Sequence, residues 1–288
     1  MANIREIRRR IRSVQSTAKI TKAMELVAAS KMRRAQERAL AGRPYAERLS
    51  WVLADLVETL EGSDPEQMHP LLRPREVESV GIVVMSPNRG LCGGLPGNLN
   101  RRASALALES GLPASIVAVG RKGLDYFRRT RTEIKAEFTD LGDYPEYGEV
   151  LPIARVVIDD YLDGQFDKVF LVFPYFVNTV TQEPRVQQLL PIEPPEDAET
   201  KTVDYIYEPG RDAVLEELLP RYVEVQIYEA VLETIASEQS ARMVAMRNAS
   251  DAADDMIEAL TLTYNKARQE QITEELLDIV GGSEGLAV

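Results

Sequence analysis

The two ends of the chain each contain a long segment without helix-breaking residues. No glycine or proline occurs in residues 1–41, and none occurs between Pro220 and Gly281. Helices of those lengths extend for about 60 Å and about 90 Å, at ~1.5 Å per residue. Patterns that run so far beyond the usual helix length are typical of a coiled coil, a helical repeat or a membrane span.

Apolar residues in both segments recur at alternating spacings of three and four, which is the pattern of a coiled coil. In the N-terminal segment the predicted seam is Ile4, Ile7, Ile11, Val14, Ala18 and Thr21, followed by a shifted stripe of Ile20, Met24 and Val27. In the C-terminal segment it is Met246, Ala249, Ala253, Met256, Leu260, Thr263 and Ala267. Because many of these side chains are small, the helices should approach closely and bury little area per turn.

Between these segments the apolar pattern changes to short runs that are typical of strands buried on both faces. The runs are Val80–Ser86, Ser115–Gly120 and Lys168–Phe176, and probable helices lie around Leu99–Ser110, Arg121–Arg129 and Val150–Leu162. Alternating strands and helices predict a central Rossmann-like α/β domain with a largely parallel sheet.

The order of these regions limits how they can be joined. The two long helices flank the α/β domain in sequence, so we predict that they form an antiparallel coiled-coil rod. The predicted boundaries are 1–62 for the N-terminal helix, 75–195 for the α/β domain and 210–288 for the C-terminal helix. The longer C-terminal helix should project furthest.

Charge is distributed unevenly along the chain, and few side chains suit catalysis. Residues 1–48 carry 13 Lys or Arg and 4 Asp or Glu, whereas the net charge of the whole chain is −12. A basic arm on an acidic body predicts an acidic partner, which could be nucleic acid, anionic lipid or an acidic protein surface. One cysteine excludes an internal disulfide framework, and one histidine excludes a multi-histidine metal site. No apolar run reaches the ~18–20 residues that span a bilayer.

The glycine-rich stretch RGLCGGLPGN (Arg89–Asn98) follows a predicted strand and opens a helix, where phosphate-binding loops occur. It lacks both G-x-G-x-x-G and G-x-x-x-x-G-K-[ST], so a tight turn is the simpler interpretation and a weak anion site the alternative. Cys92 as a nucleophile would require a base in contact with it, and His69 is the only imidazole. We therefore expect an unreactive thiol.

The basic N-terminal helix has two further interpretations. It could belong to a coiled-coil scaffold or to a nucleic-acid-binding protein, although it has no interleaved aromatic residues and its cations surround the helix. Its Arg-rich start could also belong to a transit peptide, but the apolar periodicity continues past residue 30 without a clear end point.

Three stretches resemble the gamma subunit of F-type ATP synthase. They are the N-terminal IRSVQSTAKITKAMELVAASKMRRAQ, the C-terminal SEQSARMVAMRNASDAADDMI with TLTYNKARQEQITEELLDIVGGS, and SPNRGLCGG in the central region. The resemblance covers essentially the full length. Asn88 stands where that family usually has Asp.

This resemblance implies a central stalk without a catalytic site or cofactor of its own. The implied partners are the ring of three alpha and three beta subunits, the epsilon subunit and the membrane c-ring. The implied function is to couple ion-driven rotation of the c-ring to ATP synthesis in the alpha/beta ring. The implied location is the cytoplasmic face of a bacterial cell membrane, with attachment through the membrane sector and no contact with nucleic acid.

The same resemblance implies two sets of contact residues. Those expected to meet the beta subunits are Arg8, Arg9, Met24, Lys31, Arg33, Arg34, Arg268 and Gln269. Those expected to meet the c-ring and epsilon at the foot, within DYIYEP, are Tyr205, Tyr207 and Glu208. A nucleotide-using α/β enzyme is the remaining rival, and the missing phosphate-loop signatures count against it.

Overall fold

The computed structural model describes residues 4–58, 68–193, 207–208 and 210–285, apart from the side chains of residues 58, 212 and 280–285. Its helices are α1 (Ile4–Glu58), α2 (Leu95–Ser110), α3 (Arg121–Thr130), α4 (Tyr147–Leu162) and α5 (Arg211–Gly285). Its strands are β1 (Val80–Met85), β2 (Ala114–Val119), β3 (Ile134–Phe138), β4 (Lys168–Phe176) and β5 (Gln182–Leu190). The chain divides into a helical unit, Met1–Val27 with Met243–Val288, and a sheet unit, Ala28–Arg242.

Helices α1 and α5 run through residues that usually end a helix. Helix α1 has 55 residues and contains Gly42 and Pro44, and α5 has 75 residues and contains Pro220. A proline inside a helix removes one backbone hydrogen bond and destabilises the helix. Packing offsets that cost, because Ala46 and Leu49 just after Pro44 are buried and Leu219 beside Pro220 is fully buried. None of the described helices has a stretch long and apolar enough to cross a membrane.

In the helical unit, α1 and α5 pair in opposite directions. Arg8 contacts Tyr264, Thr21 contacts Ser250 and Glu25 contacts Arg247. As the α1 number rises the α5 number falls, which is the signature of an antiparallel pair. The predicted antiparallel coiled coil is therefore confirmed for this unit.

The predicted seam has the correct spacing of three and four residues, but some of the residues assigned to it are wrong. The shifted stripe on α1 is wrong, because Ile20 and Val27 are 60% and 55% exposed and the charged Glu25 is buried instead. On α5, Met256 is 53% exposed and Thr263 is exposed. The seam on α5, buried or half-buried throughout, is Met243, Met246, Ser250, Ala253, Ile257, Leu260, Tyr264 and Ala267. Some seam positions are thus occupied by polar residues, whereas the apolar pattern predicted nearby apolar residues there.

In the sheet unit, a five-stranded sheet has the order β3-β2-β1-β4-β5. Four neighbouring strands are parallel and β5 pairs antiparallel with β4. The predicted Rossmann-like domain with a largely parallel sheet is confirmed. Strands β3 and β5 had no counterpart in the apolar pattern, because IKAEF and QEPRVQQLL are half-exposed edge strands with mixed polarity.

The two faces of the sheet are covered by different helices. Helices α2 and α3 cover one face, with Leu106 and Phe127 packed against Val80, Ile82 and Val84 of β1. On the other face, α4 packs together with the parts of α1 and α5 that belong to this unit. The largest fully buried side chains there are Leu53, Leu56, Leu71, Met85, Ile153, Tyr161, Phe166 and Leu171. The carboxyl ends of β1 to β3 thereby open beside α5.

Candidate functional site

A polar layer lies inside the helix pair of the helical unit. The hydroxyl oxygens of Thr21 and Ser250 are 2.7 Å apart, and both residues are buried. One turn away the Glu25 carboxylate accepts from Lys22 at 2.9 Å and from Arg247 at 3.0 Å. These two cations lower the pKa of Glu25. Because a slipped register would leave these groups unpaired, the layer selects one alignment of the two helices.

Cations and amides surround the same pair on its outer surface. Arg8 and Arg9 are exposed, and the Arg8 guanidinium donates to the Tyr264 hydroxyl at 2.5 Å. Met24 is half-buried, so its side chain reaches both the seam and the surface. Arg268 and Gln269 are exposed. These five predicted contact residues therefore present side-chain atoms that a surrounding protein can reach.

Helix α5 continues past the residues that pair with α1. Since Arg8 lies opposite Tyr264, the first described residue of α1, Ile4, lies opposite the region near residue 268. All residues from 268 to 279 are exposed. Four of them are large and apolar, with exposures of 48–68%: Ile272, Leu276, Leu277 and Ile279. An exposed apolar set on one helix end is typical of a surface that binds another protein.

Three more predicted contact residues lie on the part of α1 in the sheet unit. Lys31 forms an ion pair of 2.6 Å with Asp143 on the loop after β3. Arg33 is exposed and pairs with Glu37 one turn along the helix. Arg34 is exposed, and its guanidinium lies 5.9 Å from the ring centroid of Tyr144. Lys31 thus ties α1 to the sheet domain, a role that its sequence position did not indicate.

The predicted foot residues are only partly described. Tyr205 lies outside the described residues. The Tyr207 hydroxyl donates to the Asp55 carboxylate at 3.0 Å, and the Arg211 guanidinium lies 5.6 Å from the Tyr207 ring. Glu208 is exposed. Tyr207 therefore fastens this segment to α1, while Glu208 presents a carboxylate to solvent.

A crevice of about 460 Å³ opens at the carboxyl ends of β1, β2 and β3, where doubly wound folds bind ligands. The N–H groups of the first turn of α3 point there but are already paired. Arg121, Lys122 and Gly123 donate to the Asn88 side chain, the Pro87 carbonyl and the Ser86 hydroxyl, respectively. The first-turn amides of α3 are therefore occupied by the chain's own oxygens and are not available to a phosphate.

Asn88 makes two contacts that an aspartate could not make together. Its oxygen accepts from the Arg121 N–H at 3.0 Å, and its amide nitrogen donates to the Leu141 carbonyl at 3.0 Å. A carboxylate can only accept hydrogen bonds. Asn88 therefore ties the loop after β1 to the loop after β3, which closes the wall of the crevice.

The glycine-rich stretch forms a turn anchored by a buried ion pair. Arg242 donates to the Gly90 carbonyl at 3.2 Å and to the Glu238 carboxylate at 2.6 Å. Both charged side chains are nearly buried, with exposures of 10% and 11%. Burial raises the pKa of Glu238, and the Arg242 contact partly lowers it again. This pair fixes the turn after β1 to α5.

Cys92 and His69 do not form a nucleophile and base pair. Cys92 is buried, and burial raises the pKa of its thiol. His69 accepts from the Leu71 N–H at 3.2 Å, and burial lowers the pKa of its imidazole. A thiol with a raised pKa is a poor nucleophile at neutral pH. The two residues belong to separate local structures, a glycine-rich turn and a loop before β1.

Comparisons with known proteins point in one direction. A family model described as ATP synthase matches residues 3–286. The ATP synthase gamma chain of Dehalococcoides mccartyi (strain CBDB1) is 54% identical over 287 residues, covering 100% of both proteins. That of Roseiflexus castenholzii is 50% identical over 291 residues, covering 100% of this chain and 99% of the relative.

Solved structures give the same picture for the fold. The central stalk and c-ring structure of Tetrahymena thermophila mitochondrial ATP synthase contains a chain with a TM-score of 0.64 and 27% identity. The match covers 80% of this chain and 99% of that chain. A chain in the Euglena gracilis mitochondrial ATP synthase has a TM-score of 0.66 at 22% identity, covering 98% and 94%.

Proposed function

The chain belongs to the ATP synthase gamma-chain family, and we infer that it is the central-stalk rotor of an F-type ATP synthase. In that role it couples ion-driven rotation of the c-ring to ATP synthesis in the alpha/beta ring. The observation that carries this function is the antiparallel pair of α1 and α5 in the helical unit. Its seam is small and partly polar, and its outer surface is charged.

A rotor of this kind works only if its contacts differ from one angle to the next. A contact that has the same free energy in every rotational state shifts no equilibrium. Two helices side by side have an unequal cross-section, so each beta subunit meets a different set of side chains as the pair turns. Exposed cations such as Arg8 and Arg9 suit such contacts, because a large apolar anchor would hold the rotor at one angle.

We assign the contacts with the beta subunits to Arg8, Arg9, Met24, Lys31, Arg33, Arg34, Arg268 and Gln269. We assign those with the c-ring and epsilon to Tyr205, Tyr207 and Glu208. The exposure of Arg9, Arg33, Arg268 and Glu208 supports these assignments. The Lys31 ion pair with Asp143 gives Lys31 a second role inside the sheet unit. The complex belongs at the cytoplasmic face of a bacterial membrane, with this chain bound to it through its partners.

We further propose that the chain carries no catalytic site and binds no nucleotide. The support comes from the crevice, where Ser86, Pro87 and Asn88 accept hydrogen bonds from the first-turn amides of α3 and leave them unavailable to a phosphate. The alpha/beta ring would then supply all the chemistry, and this chain would supply the torque.

Co-expression of the full chain with alpha, beta and epsilon subunits tests this function. We expect one copy of the chain for every three beta subunits in an ATPase-active complex. Calorimetry of the isolated chain with ATP should show no binding. Stoichiometric ATP binding by the isolated chain would contradict the non-catalytic role. Steeply salt-dependent DNA binding without association with alpha and beta would favour a nucleic-acid-binding scaffold instead.

A further inference from the structure

A groove of about 500 Å³ lies in the sheet unit between α1, α5 and the antiparallel strands β4 and β5. Aromatic side chains form part of its wall: Trp51 from α1, and Phe173 and Tyr175 from β4. Five charged residues line it, namely Arg43, Glu47, Arg185, Glu229 and Glu233. Aromatic faces and carboxylates together attract an organic cation.

Two of these five charged groups have a direct partner in the described part of the chain. The Arg185 guanidinium stacks on Tyr175, 3.8 Å from the ring centroid. Glu233 accepts from the Phe176 N–H at 3.1 Å. Among the residues that the structure describes, neither the half-buried Glu229 nor the exposed Glu47 has a hydrogen bond or an ion pair. The groove therefore contains two carboxylates without direct compensation, and Glu229 is the less exposed of them.

The electrostatic surroundings of Glu229 are unfavourable for its charge. Burial raises the pKa of Glu229, Arg43 lowers it, and Glu233 and Glu47 raise it further. A carboxylate that is partly removed from water and lacks a partner is destabilised, and a cation placed against it reduces that cost. Neither arginine of the groove contacts the Glu229 carboxylate directly, so this position is open to the cation of a ligand.

The surface beside the groove indicates that the cation belongs to a protein. Leu40, Pro44, Glu47 and Trp51 are spaced by four, three and four residues, so they form one stripe on α1. Leu40 is 56% exposed and Trp51 is 43% exposed. An exposed apolar stripe next to a charged pocket is typical of a protein-binding surface, whereas a small cation would use the pocket alone.

We propose that this groove binds a basic amphipathic segment of a partner protein, which inserts a lysine or arginine against Glu229. The cationic head enters the groove beside Trp51, and the apolar side of the segment lies on Leu40 and Trp51. This interaction is separate from the rotor contacts assigned above and does not depend on them.

Trp51 is the only tryptophan of the chain, so its fluorescence reports on the groove directly. The isolated full chain is titrated with acetyl-arginine amide and with its uncharged analogue acetyl-citrulline amide. A helical peptide of leucine and arginine, and the same peptide with citrulline, complete the set. We expect the arginine compounds to change the Trp51 fluorescence saturably, and the citrulline compounds to change it weakly or not at all.

Three variants separate the cation site from the apolar stripe. Glu229→Gln should lower the affinity for both arginine compounds by about tenfold, since a charge-assisted contact is lost. Leu40→Gln should weaken the binding of the arginine peptide and leave that of acetyl-arginine amide unchanged. Glu217→Gln removes an exposed carboxylate elsewhere on α5 and should leave the affinity for both arginine compounds unchanged. Circular dichroism checks that each variant is folded.

Several outcomes would overturn the proposal. Equal responses to arginine and citrulline, or an unchanged affinity in Glu229→Gln, would show that the groove does not recognise a cation. Equal affinity for the arginine amide and the arginine peptide would mean that the site serves a free cation and not a protein. An effect of Glu217→Gln as large as that of Glu229→Gln would show only nonspecific attraction by the acidic chain.

Discussion

Arg242→Met is expected to lower the free energy of unfolding by about 3–5 kcal/mol, the usual cost of leaving a buried charge without its partner. The variant removes the 2.6 Å contact with Glu238 and the hydrogen bond to the Gly90 carbonyl, while the carboxylate stays nearly buried. The size of the methionine side chain limits the loss of packing. Urea unfolding of the isolated chain, followed by circular dichroism, measures the difference.

The pH dependence of this variant distinguishes a charge effect from a packing effect. Burial already raises the pKa of Glu238, and the loss of Arg242 raises it further. A carboxyl group with a raised pKa in the folded state destabilises the protein at higher pH. The cost falls as the pH approaches the ordinary carboxyl range, where both states are protonated. We therefore expect the deficit of Arg242→Met to be large at pH 7 and to shrink on acidification.

Two controls complete this experiment. The double variant Glu238→Leu with Arg242→Met removes both charges and should recover much of the lost stability. Arg128→Met breaks the exposed pair with Glu137 and should change the free energy of unfolding by less than about 1 kcal/mol. A deficit independent of pH, or a double variant less stable than the single one, would contradict the role of the buried pair.

Gly120→Ala should have a still larger effect on the sheet unit. Gly120 joins β2 to α3 with φ +94°, and a Cβ atom there would lie 1.9 Å from the Ser86 carbonyl oxygen. The carbonyl oxygen belongs to the backbone of the loop after β1, so it cannot move without breaking the pairing that closes the crevice. We expect a loss of more than about 4 kcal/mol, or a failure to accumulate folded protein.

Gly97 provides the matched control for this substitution. It lies in α2, and a Cβ atom there meets nothing within 4 Å. Gly97→Ala should therefore stabilise the chain by up to about 1 kcal/mol through helix propensity. Thermal unfolding of both variants gives the comparison. A Gly120→Ala variant as stable as Gly97→Ala would mean that the turn after β2 differs from the one described.

The main elements could be predicted from the sequence because they depend on local patterns. The absence of breakers predicted the long helices, and apolar runs predicted β1, β2 and β4. The phase of the seam could not be predicted, because Glu25, Ser250 and Tyr264 occupy seam positions through partners on the opposite helix. Those partners lie more than 200 residues away in the chain.

The same limit applies to the contact residues. Exposure of Arg9, Arg33 and Arg268 follows from their charge, and it suits the proposed contacts. The pairing of Lys31 with Asp143 joins residues that are 112 positions apart, so no local pattern contains it. The same holds for the groove around Glu229, which forms only when α1, α5 and the last two strands come together.

Direct observation of rotation tests the central claim. Leu108 is 82% exposed in α2, so Leu108→Cys provides a site for a visible probe, while the buried Cys92 thiol with its raised pKa should not react. The labelled chain is assembled with alpha and beta subunits, and the ring is fixed to a surface. The rotor function predicts that ATP drives the probe in one direction, in three equal steps per turn. Normal ATP hydrolysis with only undirected motion of the probe would contradict it.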